Sequence, residues 1–207
     1  LKRIYDLALS CGDFSQFIVS TRPDCVGEDV ADLLAQYITP EREVWVELGL
    51  QSASDETLKR INRGHTLSDY ITCAERLHKR GIKICTHVII GLPGEERKDF
   101  IKTAEALNQV GSEGVKIHNL HIPGGTRMAQ DYLDGEIVSW SSERYMNEVQ
   151  YFLRLLNPGM IVQRLVCETP AHRLMAPRHF MDKSLFLRTL NDKMERDDTR
   201  QGDLYEG

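Results

Sequence analysis

The stretch Val44–Ser52, VWVELGLQS, reads as a strand with two different faces. Side chains alternate along a strand, so Val44, Val46, Leu48 and Leu50 share one face, and Trp45, Glu47, Gly49 and Gln51 share the other. The first face suits packing beneath helices. The second brings a carboxylate and a carboxamide to one surface, with a glycine between them that leaves room for something to lie against the strand. An ionised carboxylate turned into an apolar interior without a partner is strongly disfavoured. Two readings of Glu47 follow: an ion pair with Arg22 on a neighbouring strand, or a surface that receives a ligand.

Outward from this strand, short apolar runs alternate with amphipathic ones, the pattern of βα units that feed a parallel sheet. Upstream, FIVSTRPDC (Phe17–Cys25) is a strand ended by Pro23, and GEDVADLLAQYI is a helix with acidic residues in its first turn, where they suit the helix dipole. Downstream, Ser54 is placed to cap a helix that closes on Gly64, and LSDYITCAERLHKRG is a second helix closing on Gly81. IKICTHVII (Ile82–Ile90) is the third strand, GLPGE a turn, RKDFIKTAEALNQVG a helix and GVKIHNLHI (Gly114–Ile122) the fourth strand. Beyond it lie a short helix RMAQDYLDGE, a longer one SSERYMNEVQYFLRLLN with Pro158 just past its end, a late strand MIVQRLVCE, a helix DKSLFLRTLNDKMERDD and a polar tail. Four βα strands are too few to close a barrel and enough for its middle.

The composition of the 207 residues, 41% apolar and 28% charged, is that of an ordinary globular core and argues against general disorder. No apolar run is long enough to span a bilayer and no secretory signal opens the chain, so the expected compartment is the cytoplasm. With a net charge of -5, a nucleic acid would have to be held by a local basic patch. Cys11, Cys25, Cys73, Cys85 and Cys167 contain no CxxC pair, which argues against a disulfide framework or a local zinc site and predicts mostly reduced, small core residues. Walker, GxGxxG, GxSxG and HExxH patterns are absent. The chain opens in helical rhythm without an initiator Met, with Leu1, Ile4, Tyr5, Leu7 and Ala8 along one face, and reads as a piece that begins inside a domain.

The same alternation groups Ser20, Arg22 and Asp24 on the first strand, Lys83, Cys85, His87, Ile89 and Gly91 on the third, and Lys116 and His118 on the fourth. Side by side, these faces would line one cavity with Arg22, Glu47, Gln51, His87, Lys116 and His118, near the C-terminal strand ends where α/β barrels build their sites. Taken alone, His87 or His121 reads as a satisfied core or surface histidine, and GLPGE as one of many tight strand-to-helix turns.

STRPD (Ser20–Asp24), VWVELGLQSASDETLKRINRGH (Val44–His65), GIKICTHVIIGLPGE (Gly81–Glu95) and GVKIHNLHIPGGT (Gly114–Thr126), in this order and spacing, resemble the radical S-adenosylmethionine (SAM) enzymes. The nearest likeness is to the bacterial YhcC/YtqA-type family, itself similar to the radical domain of the Elongator catalytic subunit and to oxygen-independent coproporphyrinogen oxidase. It runs from Leu1 through the tail. The resemblance implies an α/β fold, a fragment of a partial (β/α)6 TIM-type barrel of mostly parallel strands with outer helices. Residues 1–138 would hold the central βα units and residues 139–207 an extension closing the substrate side. It also implies a 4Fe-4S cluster and S-adenosylmethionine, whose reductive cleavage supplies a 5′-deoxyadenosyl radical for hydrogen abstraction. By analogy the substrate is a tRNA wobble uridine, the electron donor a flavodoxin or ferredoxin, and a methyltransferase a further candidate partner.

Carried over by position, Glu47 and Gln51 match residues that face cofactor or substrate, with a carboxylate suited to ribose hydroxyls. HVIIGLPGE matches the glycine-containing adenine-contact motif through Ile89 or Ile90, Gly91 and Glu95. Arg22, Asp24, His87, Lys116 and His118 fall in the surrounding pocket. Two departures stand out. The family's cluster is held by three cysteines, the last two spaced CxxC, and none of this chain's five matches that loop; the expectation is that the cluster segment lies upstream and that this chain alone neither binds the cluster nor turns over. PRHFMDK also lacks a Trp that relatives carry before the lysine. The competing reading is a catalytically silent barrel serving as a binding or scaffold module. A metal-dependent aldolase-type barrel is disfavoured for want of a compact His and carboxylate set. An open strand edge at FIVST predicts self-association or a rearranged edge.

Overall fold

The computed structural model describes residues 1–207, and in it the two-faced stretch lies within a nine-residue strand. The chain runs α1 (Lys2–Leu9), β1 (Gln16–Thr21), a 3-10 turn (Pro23–Cys25), α2 (Glu28–Ala35), β2 (Glu43–Gln51), α3 (Asp55–Arg60), α4 (Leu67–His78), β3 (Lys83–Ile90), α5 (Arg97–Val110) and β4 (Gly114–Asn119). It continues through β5 (Ile122–Pro123), α6 (Arg127–Leu133), α7 (Ser142–Leu155), β6 (Ile161–Arg164), β7 (Leu174–Ala176) and α8 (Lys183–Arg196). β1, β2, β3, β4 and β6 form one sheet in that order, and every neighbouring pair is parallel. β5 and β7 make a small antiparallel pair.

Alternation decides the layering. Val44, Val46, Leu48 and Leu50 are fully buried together with Ile84, Val88, Ile90, Val115 and Ile117, and helices α4, α5 and α7 cover them with Tyr70, Leu77, Phe100, Leu107 and Phe152. Burying each such side chain stabilises the fold by roughly 1.5–3 kcal/mol. The helices start where the sequence supplies caps: Ser54 Oγ accepts from Thr57 N at 3.3 Å, Thr66 and Asp69 form a reciprocal capping box on α4, and Asp182 accepts from Ser184 N and Leu185 N at 2.9 and 3.2 Å on α8. After α4, Gly81 turns the chain with φ +73°, a backbone region that costs other residues more.

Five features depart from the sequence expectation. The expected strand Gly114–Ile122 breaks after Asn119, because the buried Asn119 side chain bonds Cys167 N at 3.0 Å and His121 Nε2 at 2.8 Å, and Ile122 instead pairs with Ala176. β7, which supplies that partner, is too short for periodicity to reveal, and the late strand expected over Met160–Glu168 shrinks to β6. Only Cys73 and Cys85 are core residues; Cys11 and Cys25 are exposed and Cys167 is intermediate. On α1, Tyr5 packs edge-on against Phe17 and Tyr37 while Leu1, Ile4 and Leu7 face outward. β1 is the edge strand, with Ile18 exposed. No helix is long and apolar enough to cross a membrane.

Candidate active site

On the face of the sheet opposite the helices, strand register lays the polar residues in rows. Ser20, Glu47, Cys85 and Gly114 are successive neighbours across four strands, and Gly49, His87 and Lys116 form the next row. Lys116 on β4 reaches across β3 to Glu47 Oε1, and Ser20 Oγ donates to Glu47 Oε2 at 2.6 Å. His87 Nε2 lies 3.3 Å from Glu47 Oε2, within ion-pair reach, and makes no hydrogen bond. The Glu47 and Lys116 side chains are 13% and 14% exposed, so the pair is shielded without being sealed. One row deeper, Trp45 Nε1 donates to Glu43 Oε2 at 2.8 Å beneath the Lys83 ammonium, which sits over the Trp45 ring.

The electrostatics follow from burial and partners. Burial opposes the charge on Glu47, but Lys116 and Ser20 outweigh it and hold the carboxyl below its usual range. Burial pushes His87 down against the pull of Glu47. It also takes His118 down to about 4, helped by His87 and Arg164, whose Nη1 donates to His118 Nε2 at 3.3 Å. The two rings lie 5.3 Å apart. Near neutral pH the site therefore holds one ion pair and two uncharged imidazoles.

At the C-terminal end of β2 the ladder bulges between Gly49 and Gln51, and Gln51 adopts φ 75°, which is strained for a residue with a Cβ. Gly49 O accepts from Arg63 Nη2 at 2.9 Å, and a Cβ on Gly49 would collide with the Arg63 guanidinium and the Gln51 amide. The space left by the glycine is thus filled by Arg63. Arg63 Nε and His65 Nδ1 are buried with no partner, although His65 Nε2 meets Leu50 O at 3.3 Å. Burial and the neighbouring Arg22 both lower the Arg63 pKa. Sequence reasoning missed Arg63 and His65, because a loop arginine and a strand glycine fourteen residues apart share no periodic signal.

The other expected residues separate. Arg22 pairs with Asp24 at 2.5 Å instead of Glu47, because parallel register puts Ser20 opposite Glu47 and carries Arg22 past it. Gln51 is half-buried beside Gly49; Ile89 lies on the polar side at the level of His118, and Ile90 is in the helix-covered core. Gly91, at φ 102°, is faced by Trp140, whose ring would lie 3.4 Å from a Cβ. Glu95 is buried and accepts from Ser52 Oγ at 2.5 Å, which ties the end of β2 to the turn before α5, and burial lifts its pKa to about 7.

Two groups implied by the resemblance meet different surroundings. An iron-sulfur cluster finds no fit: no three His, Cys, Asp or Glu residues come together as a ligand set, and burial raises Cys73 and Cys85 to about 11 and about 12, away from the thiolate form a cluster needs. S-adenosylmethionine fits better, because the unpartnered Arg63 Nε is a buried cationic donor suited to a carboxylate, and Glu47 and Gln51 supply acceptors on the same face.

The Radical SAM superfamily matches residues 10–107, and the Radical_SAM C-terminal domain matches residues 112–196. Curated proteins similar to this chain include Uncharacterized protein MJ0486 of Methanocaldococcus jannaschii, 36% identical over 98% of this chain and 63% of its own length. Protein YhcC of Escherichia coli K12 is 38% identical over 86% of this chain and 57% of its own length. The tRNA uridine(34) acetyltransferase of Methanocaldococcus infernus is 27% identical over 74% of this chain and 28% of its own length. The solved archaeal Elp3 of the same organism, with an N-terminal deletion, superposes with a TM-score of 0.77 at 23% identity, covering 89% of this chain and 42% of that one, and shares the fold. The chain spans 57% and 63% of the lengths of YhcC and MJ0486.

Proposed function

The chain belongs to the radical SAM superfamily, whose members are enzymes, and on that premise we propose that the whole protein generates a 5′-deoxyadenosyl radical that abstracts hydrogen from a tRNA wobble uridine. The observation that carries the reading is the convergence of Glu47, Lys116, His87 and His118 on one sheet face, with the unpartnered Arg63 Nε at its C-terminal edge. When bound, S-adenosylmethionine supplies the radical on one-electron reductive cleavage. Arg63 would hold the methionyl carboxylate, and Glu47, with lone pairs beyond those used by Lys116 and Ser20, would accept from ribose hydroxyls. Lys116 keeps Glu47 ionised, and the neutral His87 and His118 line the site without adding charge beside the cationic sulfonium.

The tRNA part rests on likeness to a protein named tRNA uridine(34) acetyltransferase, and the finer assignment to the wobble base is ours. Cluster ligands and the docking site of a flavodoxin- or ferredoxin-type donor belong, in this proposal, outside residues 1–207, and the extension over 139–207 closes the substrate side. The test is anaerobic reconstitution of the full-length protein with S-adenosylmethionine and a reductant. 5′-Deoxyadenosine is expected, with Arg63→Met raising the S-adenosylmethionine concentration required; none formed by a cluster-loaded protein would end the radical reading. An unchanged tRNA nucleoside profile in a deletion strain would remove the substrate.

A further inference from the structure

The chain's charge is distributed unevenly. Thirteen of its 26 lysines and arginines form ion pairs, yet Arg164, Arg173, Arg178, Lys183 and Arg188 form none. The only acids between positions 164 and 188 are Glu168 and Asp182, and Asp182 is engaged as the cap of α8. This basic stretch lies beside the active site: Arg164 is opposite Lys116 and bonds His118, and β7 within it pairs with β5, just beyond the end of β4.

Beneath the stretch is a cavity of 530 Å³. Leu174 and Phe180 give it apolar lining, Thr169 lies on its wall, and Arg178 and Lys183 bring positive charge to it beside the carboxylates of Glu168 and Asp182, the second of which is held by the cap of α8. Arg178 Nε donates to Met175 O at 3.2 Å, which fixes the side chain while its terminal nitrogens make no ion pair. Arg178 also borders a second cavity of 490 Å³, with His172, Arg173 and His179.

The hydrogen bonds define what the wall offers. Asn119 Oδ1 accepts from Cys167 N at 3.0 Å, so the Asn119 amide NH2 must face His121 Nε2, 2.8 Å away. Nε2 is therefore the acceptor, and Nδ1–H donates to Thr169 Oγ1 at 2.6 Å. That leaves the Thr169 hydroxyl proton without an acceptor in the chain, free to donate to a ligand. An apolar surface and one oriented donor, within a stretch whose five basic residues outnumber its two acids, match an unstacked nucleobase with its flanking phosphates better than they match a bare phosphate or a lipid headgroup.

We propose that residues 164–188 form an RNA-strand site: the cavity beneath Leu174 and Phe180 takes one extruded nucleotide, Thr169 donates to its base, and Arg173, Arg178 and Lys183 follow the phosphates. The inference rests on the tRNA reading above and assigns residues to it. The test is fluorescence anisotropy of the full protein with a labelled RNA hairpin carrying an unpaired loop, without cofactor or reductant. Arg178→Glu and Lys183→Glu should each weaken binding about tenfold and flatten the salt dependence by about one counterion. Lys98→Glu and Lys102→Glu on α5 should change neither. Thr169→Val should alter loop-base preference with the salt slope intact. The neutral Arg178→Gln and Lys183→Gln, checked by thermal melting, guard against misfolding as the cause of any loss. Wild-type affinity in both charge reversals, or equal competition by heparin or phosphatidylglycerol vesicles, would overturn the site. Because 5′-deoxyadenosine formation is read separately, normal radical formation with unaffected RNA binding rejects this inference alone, and localised RNA binding without radical formation rejects only the radical chemistry.

Discussion

Glu47 on β2 is ion-paired with Lys116 on β4, so a single salt bridge spans the whole width of β3. Both groups are mostly shielded from water, so removing one leaves the other charged and uncompensated. Lys116→Met should cost about 3 kcal/mol. Glu47→Leu placed on top of Lys116→Met should cost much less than it does alone. Urea denaturation of the two single variants and the double variant measures the coupling; additivity would mean that the pair contributes nothing specific.

Gly49 is required by packing. Its missing Cβ admits the Arg63 guanidinium, so Gly49→Ala should destabilise the protein by roughly 1–3 kcal/mol through displacement of that side chain. In an Arg63→Ala background the penalty should shrink, because only the contact with the Gln51 amide remains. Thermal melts of the four proteins check this, and an undiminished penalty in the Arg63→Ala background would contradict the packing account.

The pH dependence of stability contains opposed contributions, among them those of His118 and Glu95. His118, at about 4 when folded against the ordinary 6.5, gains its proton first in the unfolded chain, so stability falls as pH drops from 6.5 to 4. Glu95, at about 7 against 4.5, keeps its proton longer in the folded protein, so the stability it contributes below pH 4.5 is lost as pH rises to 7. Between pH 4.5 and 6.5 the two nearly cancel. Relative to the unmodified protein, Glu95→Gln should steepen the rise of stability with pH by up to about 1.4 kcal/mol per unit, and His118→Phe should reduce it by a similar amount. Urea titrations at several pH values decide it; the same slope in both variants would refute the assignment.

The thiols should react in order of burial. Cys11 and Cys25 are exposed and should react with Ellman's reagent without delay, whereas Cys73 and Cys85, buried and raised to about 11 and about 12, should react only on unfolding. Cys167 should be intermediate. Time-resolved labelling with peptide mapping checks the order, and early modification of Cys85 would contradict the burial of the row that holds Glu47.

The amino-acid sequence by itself determined the layers of this protein. Alternation in Val44–Gln51, Lys83–Ile90 and Gly114–Asn119 assigns each side chain to the helix-covered or the polar face, because a strand's period of two is a local property. It placed Glu47, His87, Lys116 and His118 together before any register was known. Tertiary structure decided their partners. Parallel register, set by packing between strands, moved Arg22 past Glu47 and brought Ser20 opposite it, and the reach of Lys116 across β3 completed the pair. Arg63 reaches Gly49 through a loop whose course no periodicity encodes, and Asn119 breaks its strand through bonds to Cys167 and His121, a contact made only after the chain has folded back. Faces follow from local backbone geometry, whereas partners follow from register and from long-range side-chain reach, which exist only in the folded chain.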